Sequence, residues 1–577
     1  MGMLMIDLTQ ENYLTNAKLL LNGFWYAELP NLIDMEELEE AIEDIFTGIE
    51  NSEIRTFKKS ADDFIEDFCG IASPPYVRSP GVEAISFFDF KKNRSLREMQ
   101  IPNLVLYFAF MYNTLANFSD LFEKLYLDPT NSRYVDNSNS YLVFEDEFVL
   151  HSYLGEDEII SAGVFTTKNN KISTSVALAE NRKRFLATEA DYLYSLKMDI
   201  ESFFPNLYTH NFEKMADKLP FSNLSVDFRY FRFLDHFHQR INNNQTKGIP
   251  AGIFSSHIAA ELCMLCVDEE IRNYLEIREN PIGYVRYVDD LNFFSDSESE
   301  LAELYPIVQS ILNKYRLRIN GNKTEAIHAV YSLQPAYIAE ILHDLPILSE
   351  TDEPQNITTS DYYLVKRYIG NCLNDKRSSQ IRALLTLLYR RISENTIRIG
   401  EISKELFYYL LKLVFEDVSL TTHIYRLLDL ILEREADSAE FIAALQRKGP
   451  KIDAEYPDTI LQIWHYYVLF RYSSDEARME MVKSLRTKHF NPLVASTMVL
   501  RGKKKNKELY SIIRDAYKLE AGEAGWQATI MNSRWWLPLF KISRYDSHNY
   551  DHFMQSANFP DLLKMFLPHE ETEEREN

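Results

Sequence analysis

The sequence predicts two architectures in succession, a mixed α/β domain over residues 1–350 and an all-α domain over residues 351–577. Three observations predict them. Between residues 190 and 330 short β-prone runs alternate with helical ones, as in a mixed domain. From about residue 380 apolar residues recur at helical spacing instead. Between the two, Thr351-Asp352-Glu353-Pro354-Gln355-Asn356 is polar, contains Pro and lacks periodicity, which marks a linker.

Residues 1 to about 75 read as mixed and mostly helical, with Glu36 to Phe46 carrying charges between apolar positions in helical rhythm. In the second half the apolar stripes are Ile381, Leu384, Leu385 and Leu388, then Ile402, Leu406, Leu410 and Leu413, then Ile424, Leu427, Leu428 and Ile431. The first and third start 43 residues apart, near the roughly 40–47-residue period of a two-helix solenoid unit. A HEAT-like array and an irregular bundle both satisfy that pattern. Neither carries a catalytic constellation, so this half reads as an interaction or assembly scaffold.

At 577 residues, with 46% hydrophobic and 13% aromatic composition, the chain has material for two or three cores. No apolar run is long enough for a membrane span, and Met-Gly-Met-Leu-Met-Ile-Asp does not resemble a secretory signal, so a cytoplasmic protein without membrane contact is expected. The four cysteines form no disulfide framework. Cys263 and Cys266 lie in an apolar helical run and read as core, while Cys69 and Cys372 are too distant to complete a zinc site. A net charge of −24 excludes a protein that coats nucleic acid through a broad basic surface. Local basic clusters occur at Lys91-Lys92-Asn93-Arg94, at Arg182-Lys183-Arg184 and from Arg501 to Lys507.

The chemistry lies in the α/β half. Tyr194 to Ile200 is a short strand-like run in which Asp199 is the carboxylate. Ninety residues further on, strand-like Tyr284-Val285-Arg286-Tyr287 leads through Val288 to Asp289-Asp290, and apolar Leu291-Asn292-Phe293-Phe294 follows. Two adjacent aspartates between β-prone runs read as the tip of a hairpin. Like charges there are unfavourable unless solvent or cations compensate them, and a divalent cation is the natural compensation. Hard cations take carboxylate oxygens and substrate phosphates, and a pair of them can activate a hydroxyl and stabilise leaving pyrophosphate.

Tyr287-Val288-Asp289-Asp290 has company in the order that marks a reverse-transcriptase palm. Asp199-Ile200-Glu201-Ser202-Phe203-Phe204 resembles the first palm motif of that family, Gly248-Ile249-Pro250-Ala251-Gly252 with Ser256 the second, and Asn322-Lys323-Thr324 the fourth. The resemblance implies a fingers/palm domain followed by a HEAT-like α-helical repeat domain. It implies nucleotidyl transfer with two Mg²⁺, or Mn²⁺ in their place, held by Asp199, the Ile200 carbonyl, Asp289 and Asp290.

Phe204 stands where the family places an aromatic that excludes a ribose 2′-hydroxyl, which implies deoxynucleotide (dNTP) substrates. Gly248 and Gly252 allow close backbone approach before a helix, so Gly248, Pro250 and Ala251 are expected to floor the nascent base and sugar. Lys323 is expected to meet the charge of the departing pyrophosphate. Lys91, Lys92, Arg94 and Arg97 are the candidates for holding the triphosphate, without a choice among them.

Ala251 departs from the family, which usually has Gln there. Local phrases point to the abortive-infection group of bacterial reverse transcriptases, of which AbiK is the named type: Phe87 to Lys92, Met99 to Leu104, Phe204 to His210, and Arg286 to Asp290. That resemblance implies bacterial anti-phage defence, homo-oligomers and a phage-encoded trigger. It also implies untemplated synthesis of single-stranded DNA primed by, and covalently attached to, a tyrosine of the protein. The 35 tyrosines do not identify which one. The alternatives are an RNA-templated, retron-like reverse transcriptase and a catalytically silent polymerase-like scaffold that senses phage.

Overall fold

The computed structural model describes residues 16–33 except 19 and 22, residues 39 and 42, 83–150 except 92–93, 139–141 and 146, and 185–328 except 225–227. It further describes 337–349, 353–498 except 436–437 and 486–490, and residues 511 and 534–538. Lys92, Cys69, most of the Glu36–Phe46 run, Thr351-Asp352 and the basic clusters at 182–184 and 501–507 lie outside the described residues.

Strands β1 (Ile85–Phe90) and β2 (Leu96–Ile101) form an antiparallel hairpin, with Asp89 opposite Arg97. Helix α1 (Leu104–Ala116) follows, then a small hairpin of β3 (Leu142–Glu145) and β4 (Glu147–Leu150). Next come β5 (Tyr194–Asp199), α2 (Phe228–Ile241), α3 (Phe254–Glu276), β6 (Gly283–Tyr287), β7 (Asp290–Ser295), α4 (Glu298–Lys314) and β8 (Glu325–His328). The last four strands make one antiparallel sheet in the order β6-β7-β5-β8.

This sheet forms where the sequence alternates aromatic and branched residues, and its inner face buries Met198, Leu291 and Phe293 completely. Across the β6–β7 hairpin Tyr284 and Phe293 stack at 4.8 Å, the kind of cross-strand pair that fixes register. Register matters here because it sets Asp199 directly opposite Asp290. Helix α3 carries sixteen buried residues and packs on α4, which in turn packs on β5 and β7.

The helical half consists of α5 (Tyr337–Asp344), α6 (Thr359–Asn374), α7 (Ser378–Ser393), α8 (Ser403–Glu416), α9 (Thr421–Arg434), α10 (Ala439–Glu455), α11 (Ile460–Tyr472), α12 (Asp475–Leu485) and α13 (Pro492–Met498). Two residues of the predicted linker, Gln355 and Asn356, pair in parallel with Ile397 and Arg398, and a Thr358–Asp361 capping box then starts α6. Helices α5, α7, α9, α11 and α13 pack consecutively in one row, while α6, α8 and α10 pack on α7, α9 and α11 as a second layer. All twelve stripe residues from Ile381 to Ile431 are buried. Helix α5, ahead of position 351, belongs to this row through its contact with α7.

The segment Gly23–Leu29 ties the two halves together. Its Gly23 carbonyl accepts the Phe254 N–H at the start of α3. On its other side, Arg426 donates to the Ala27 carbonyl, and Thr422 and Trp464 donate to that of Glu28. Strand β1 also reaches the array, where the Phe88 N–H donates to Asp458 and the Asn491 amide to the Ser86 carbonyl. Among the described residues no helix is long and apolar enough to cross a membrane.

Candidate active site

Strand β5 ends at Asp199, and the β6–β7 turn places Val288 and Asp289 just before Asp290. The two strand ends are locked together, since the Ile200 N–H donates to the Asp289 carbonyl at 3.1 Å. The Asn320 N–H donates to the Asp199 carbonyl at 2.7 Å, which brings in the segment before β8. One carboxylate oxygen of Asp199 accepts from Lys323 Nζ at 2.9 Å and the other from the Asn320 amide at 3.2 Å. Asp290 faces Lys197 Nζ at 3.0 Å.

The electrostatics follow from crowding like charges at a partly buried sheet end. Burial, then the charges of Asp290 and Asp199, push the Asp289 carboxyl up to about 7. Burial also raises Asp290, against the opposing pull of Lys197. The Lys323 ammonium is held above its ordinary value by its hydrogen bond to Asp199. A cluster of carboxylates that resists ionisation is suited to a cation, and its all-oxygen donors fit Mg²⁺ or Mn²⁺ in kind. Two lysines now take up part of the charge, and among the described residues no three His, Cys, Asp or Glu side chains converge as a metal-ligand set.

Phe204 sits in a short helix, Phe203–Asn206, with its ring edge-on to His257 at 5.1 Å. The glycine loop is fastened to the same helix, as the Ile249 N–H donates to the Phe204 carbonyl at 3.0 Å and the Gly248 N–H to that of Leu207 at 2.8 Å. Gly248 and Gly252 adopt φ of +87° and +88°, so both sit in the region that favours glycine. Pro250 is buried, and the Ala251 carbonyl accepts from the Tyr26 hydroxyl, which also contacts the Gln100 carbonyl of β2. Tyr26 thereby joins hairpin, glycine loop and the N-terminal segment.

The structure thus gathers Asp199, Ile200, Asp289, Asp290 and Lys323, and it links Phe204 to Gly248, Pro250 and Ala251. The hairpin cations fare differently. Lys91 and Arg97 are exposed, and Arg97 lies opposite Asp89. Arg94 takes a left-handed conformation and donates to the Glu416 carbonyl at the end of α8, so its guanidinium is engaged with the helical half.

Cys263 and Cys266 are buried core of α3, and burial pushes the Cys263 thiol up to about 12. Sequence reasoning did not single out Arg286, Tyr26 or Lys197. Arg286 is wholly buried in β6 between Asp268 and Glu261 of α3. The available signal was an arginine inside an apolar strand together with two acidic residues, seven apart and hence on one helix face, inside an apolar helix.

No curated protein matches the chain. Among solved structures it is similar to telomerase from Candida albicans in complex with a fragment of telomeric RNA, with a TM-score of 0.29 and 11% identity over 65% of this chain and 68% of that one. It is also similar to apo telomerase from Candida tropicalis, with a TM-score of 0.27 and 12% identity over 92% of this chain and 79% of that one. Residues 155–364 match the family model described as reverse transcriptase (RNA-dependent DNA polymerase), a span that includes every palm motif from Asp199 to Thr324. The chain therefore carries a reverse transcriptase domain.

Proposed function

We propose that the chain is a DNA polymerase acting in bacterial anti-phage defence, which adds dNTPs to a tyrosine hydroxyl of the protein itself without a template. The observation that carries the polymerase reading is the backbone pairing that brings Asp199, Asp289 and Asp290 to one sheet end, with Lys323 on Asp199. Mg²⁺ bound by these carboxylates and the Ile200 carbonyl would lower the barrier to attack on a nucleotide α-phosphate. The chain's own groups orient that cluster. Phe204, fastened to the glycine loop, stands ready to select deoxyribose, and Lys323 is close enough to follow the developing phosphate charge.

Two features support the untemplated, protein-primed form. Ala251 replaces the glutamine that usually helps seat the nucleotide, and its carbonyl is bound by Tyr26. An acidic chain also holds a long primer–template duplex poorly, whereas a tethered primer needs no affinity. The two-layer packing from α6 to α13, which α5 joins from ahead of the boundary, supports a HEAT-like assembly domain from about residue 351, a homo-oligomer and a docking surface for a phage trigger. A cytoplasmic site is proposed with them.

The family description, an RNA-dependent DNA polymerase, favours a second reading, a templated enzyme. One experiment separates the two. Purified chain is incubated with Mg²⁺ and labelled dNTPs alone, then run on denaturing gels before and after proteolysis. Label that stays with the protein until proteolysis supports priming by the chain, whereas incorporation only after RNA and primer are added supports the templated enzyme. Silence in both conditions overturns the polymerase reading.

A further inference from the structure

The β6–β7 turn contains a conformation that its own residue disfavours. Val288 has a φ of +52°, a left-handed value that a β-branched side chain rarely adopts because its Cβ crowds the backbone. Such strain persists only where surrounding contacts over-determine it. Arg286 Nη1 donates to the Val288 carbonyl at 3.2 Å, reaching from the strand into the turn it precedes.

Arg286 is itself fixed from every side. Nε lies 2.9 Å from both Asp268 oxygens, Nη2 lies 2.7 Å from Asp268 Oδ2 and 3.2 Å from Glu261 Oε1, and Nη1 lies 2.9 Å from Glu261 Oε2. Together with the Val288 carbonyl, these acceptors engage all five guanidinium N–H groups. The carboxylates are anchored in turn, Asp268 by the Tyr284 hydroxyl at 2.7 Å and Glu261 by Ser138 at 2.6 Å. The Arg286 N–H also donates to Asn137, whose side-chain oxygen accepts from Arg272. A buried ion pair of this kind is a poor source of stability compared with apolar packing, because desolvation offsets its attraction. Its product is geometric definition.

We infer that Arg286 is a positioning residue: held by Asp268 and Glu261, it keeps Val288 left-handed and thereby sets where Asp289 presents its carboxylate. The inference rests on the reading of Asp289 as a group that meets the catalytic cation. Without the Arg286 contact, Val288 relaxes towards the extended region, the 288–289 peptide turns, and Asp289 leaves its place beside Asp199 and Asp290. Lysine cannot substitute, since an ammonium has three donors and no fork to span two carboxylates and a carbonyl.

The test uses the full chain as wild type, R286K, V288G and the R286K/V288G double variant. Three quantities are read: Mn²⁺ affinity by calorimetry without nucleotide, thermal midpoint, and dNTP incorporation. R286K is expected to weaken Mn²⁺ binding by about 10–100-fold, the range for lost support of a metal ligand. Glycine adopts φ of +52° without strain, so the double variant should recover affinity to near that of V288G alone while its thermal midpoint stays as low as that of R286K.

That separation is what a merely structural arginine would not produce. A double variant that binds Mn²⁺ as weakly as R286K, or an R286K that binds as tightly as wild type, overturns the inference. Should R286K fail to fold, E261Q with and without V288G makes the same comparison through a gentler lesion. A wild type that binds Mn²⁺ without incorporating dNTPs counts against the polymerase reading and leaves the positioning test intact. Wild type that binds no Mn²⁺ overturns both.

Discussion

Lys323 Nζ stands 2.9 Å from Asp199 Oδ1, joining the loop before β8 to the end of β5. The lysine side chain is 64% exposed, so this contact contributes little to folding and its consequence is electrostatic. It also lies among the charges that hold Asp289 down, opposing the push of burial and of the two neighbouring aspartates. Lys323→Ala should therefore lower dNTP incorporation by roughly 10–100-fold, the scale of losing one charge stabiliser, with the thermal midpoint nearly unchanged. The acid limb of the pH–rate profile should also move to higher pH, because Asp289 then holds its proton more tightly. Rates measured from pH 5.5 to 9 check both, and an unshifted limb would remove Lys323 from the site.

Asp289 itself ties the site to stability. Its carboxyl titrates near 7 in the folded chain and near 3.8 when unperturbed. Between those values the folded state keeps a proton that the unfolded state has released, so stability falls as pH rises through that window. Asp289→Asn removes the cost of holding the ionised group. The variant should be inactive yet melt higher than wild type at pH 8 by roughly 1–3 °C, allowing about 1 kcal/mol for a partly exposed group. The gap should shrink steadily below pH 7 and close below about pH 3, where both states are protonated. Melting curves in EDTA at both pH values decide it, and a variant that melts lower at pH 8 contradicts the assignment.

What the sequence disclosed, and what it did not, divides by range. Asp289 and Asp290 were readable because a two-residue tip between β-prone runs is a local signal. The stripes at Ile381 and Ile424 were readable because helical period is local too. The Tyr26 contact with Ala251 spans 225 positions and leaves no periodic trace. Arg286 failed to register because a single basic residue in a strand ordinarily means an exposed side, and only the tertiary approach of α3 turns it inward. Arg94 joins both ranges. Its place in a basic hairpin suggested a triphosphate ligand, while its donation to the Glu416 carbonyl, 322 positions away, leaves no local trace.

Burial makes a prediction about the thiols. Cys263, Cys266 and Cys372 are all buried, and burial raises each thiol, so the reactive thiolate is scarce at neutral pH. These three should resist alkylation by iodoacetamide in the folded chain and react promptly in denaturant, as read by mass spectrometry of the peptides. A chelator should leave the thermal midpoint unchanged if they hold no zinc. Rapid labelling of Cys263 or Cys266 under native conditions would mean that α3 opens readily, against its position at the centre of the α/β half.

Gly252 offers the sharpest test of how the β1–β2 hairpin is held against the palm. A Cβ there would lie 2.4 Å from Tyr26 Cε1 and 2.9 Å from Met99 Cε, on a backbone with φ of +88°. Tyr26 cannot easily yield, because it is fully buried among α/β core residues and its hydroxyl is bound to main-chain carbonyls on two elements. Gly252→Ala therefore combines a steric clash with left-handed strain, together costing about 2–4 kcal/mol. At Gly248 the same methyl would meet only the Pro205 carbonyl at 3.1 Å, so Gly248→Ala chiefly pays the strain, about 1–2 kcal/mol. Denaturant midpoints should rank wild type above Gly248→Ala above Gly252→Ala. Because the displaced Tyr26 also releases β2, Gly252→Ala should raise the KM for dNTP more than Gly248→Ala does. Equal midpoints for the two variants would show that Tyr26 gives way freely, and the hairpin would then owe its place to the contacts of β1 with the helical array.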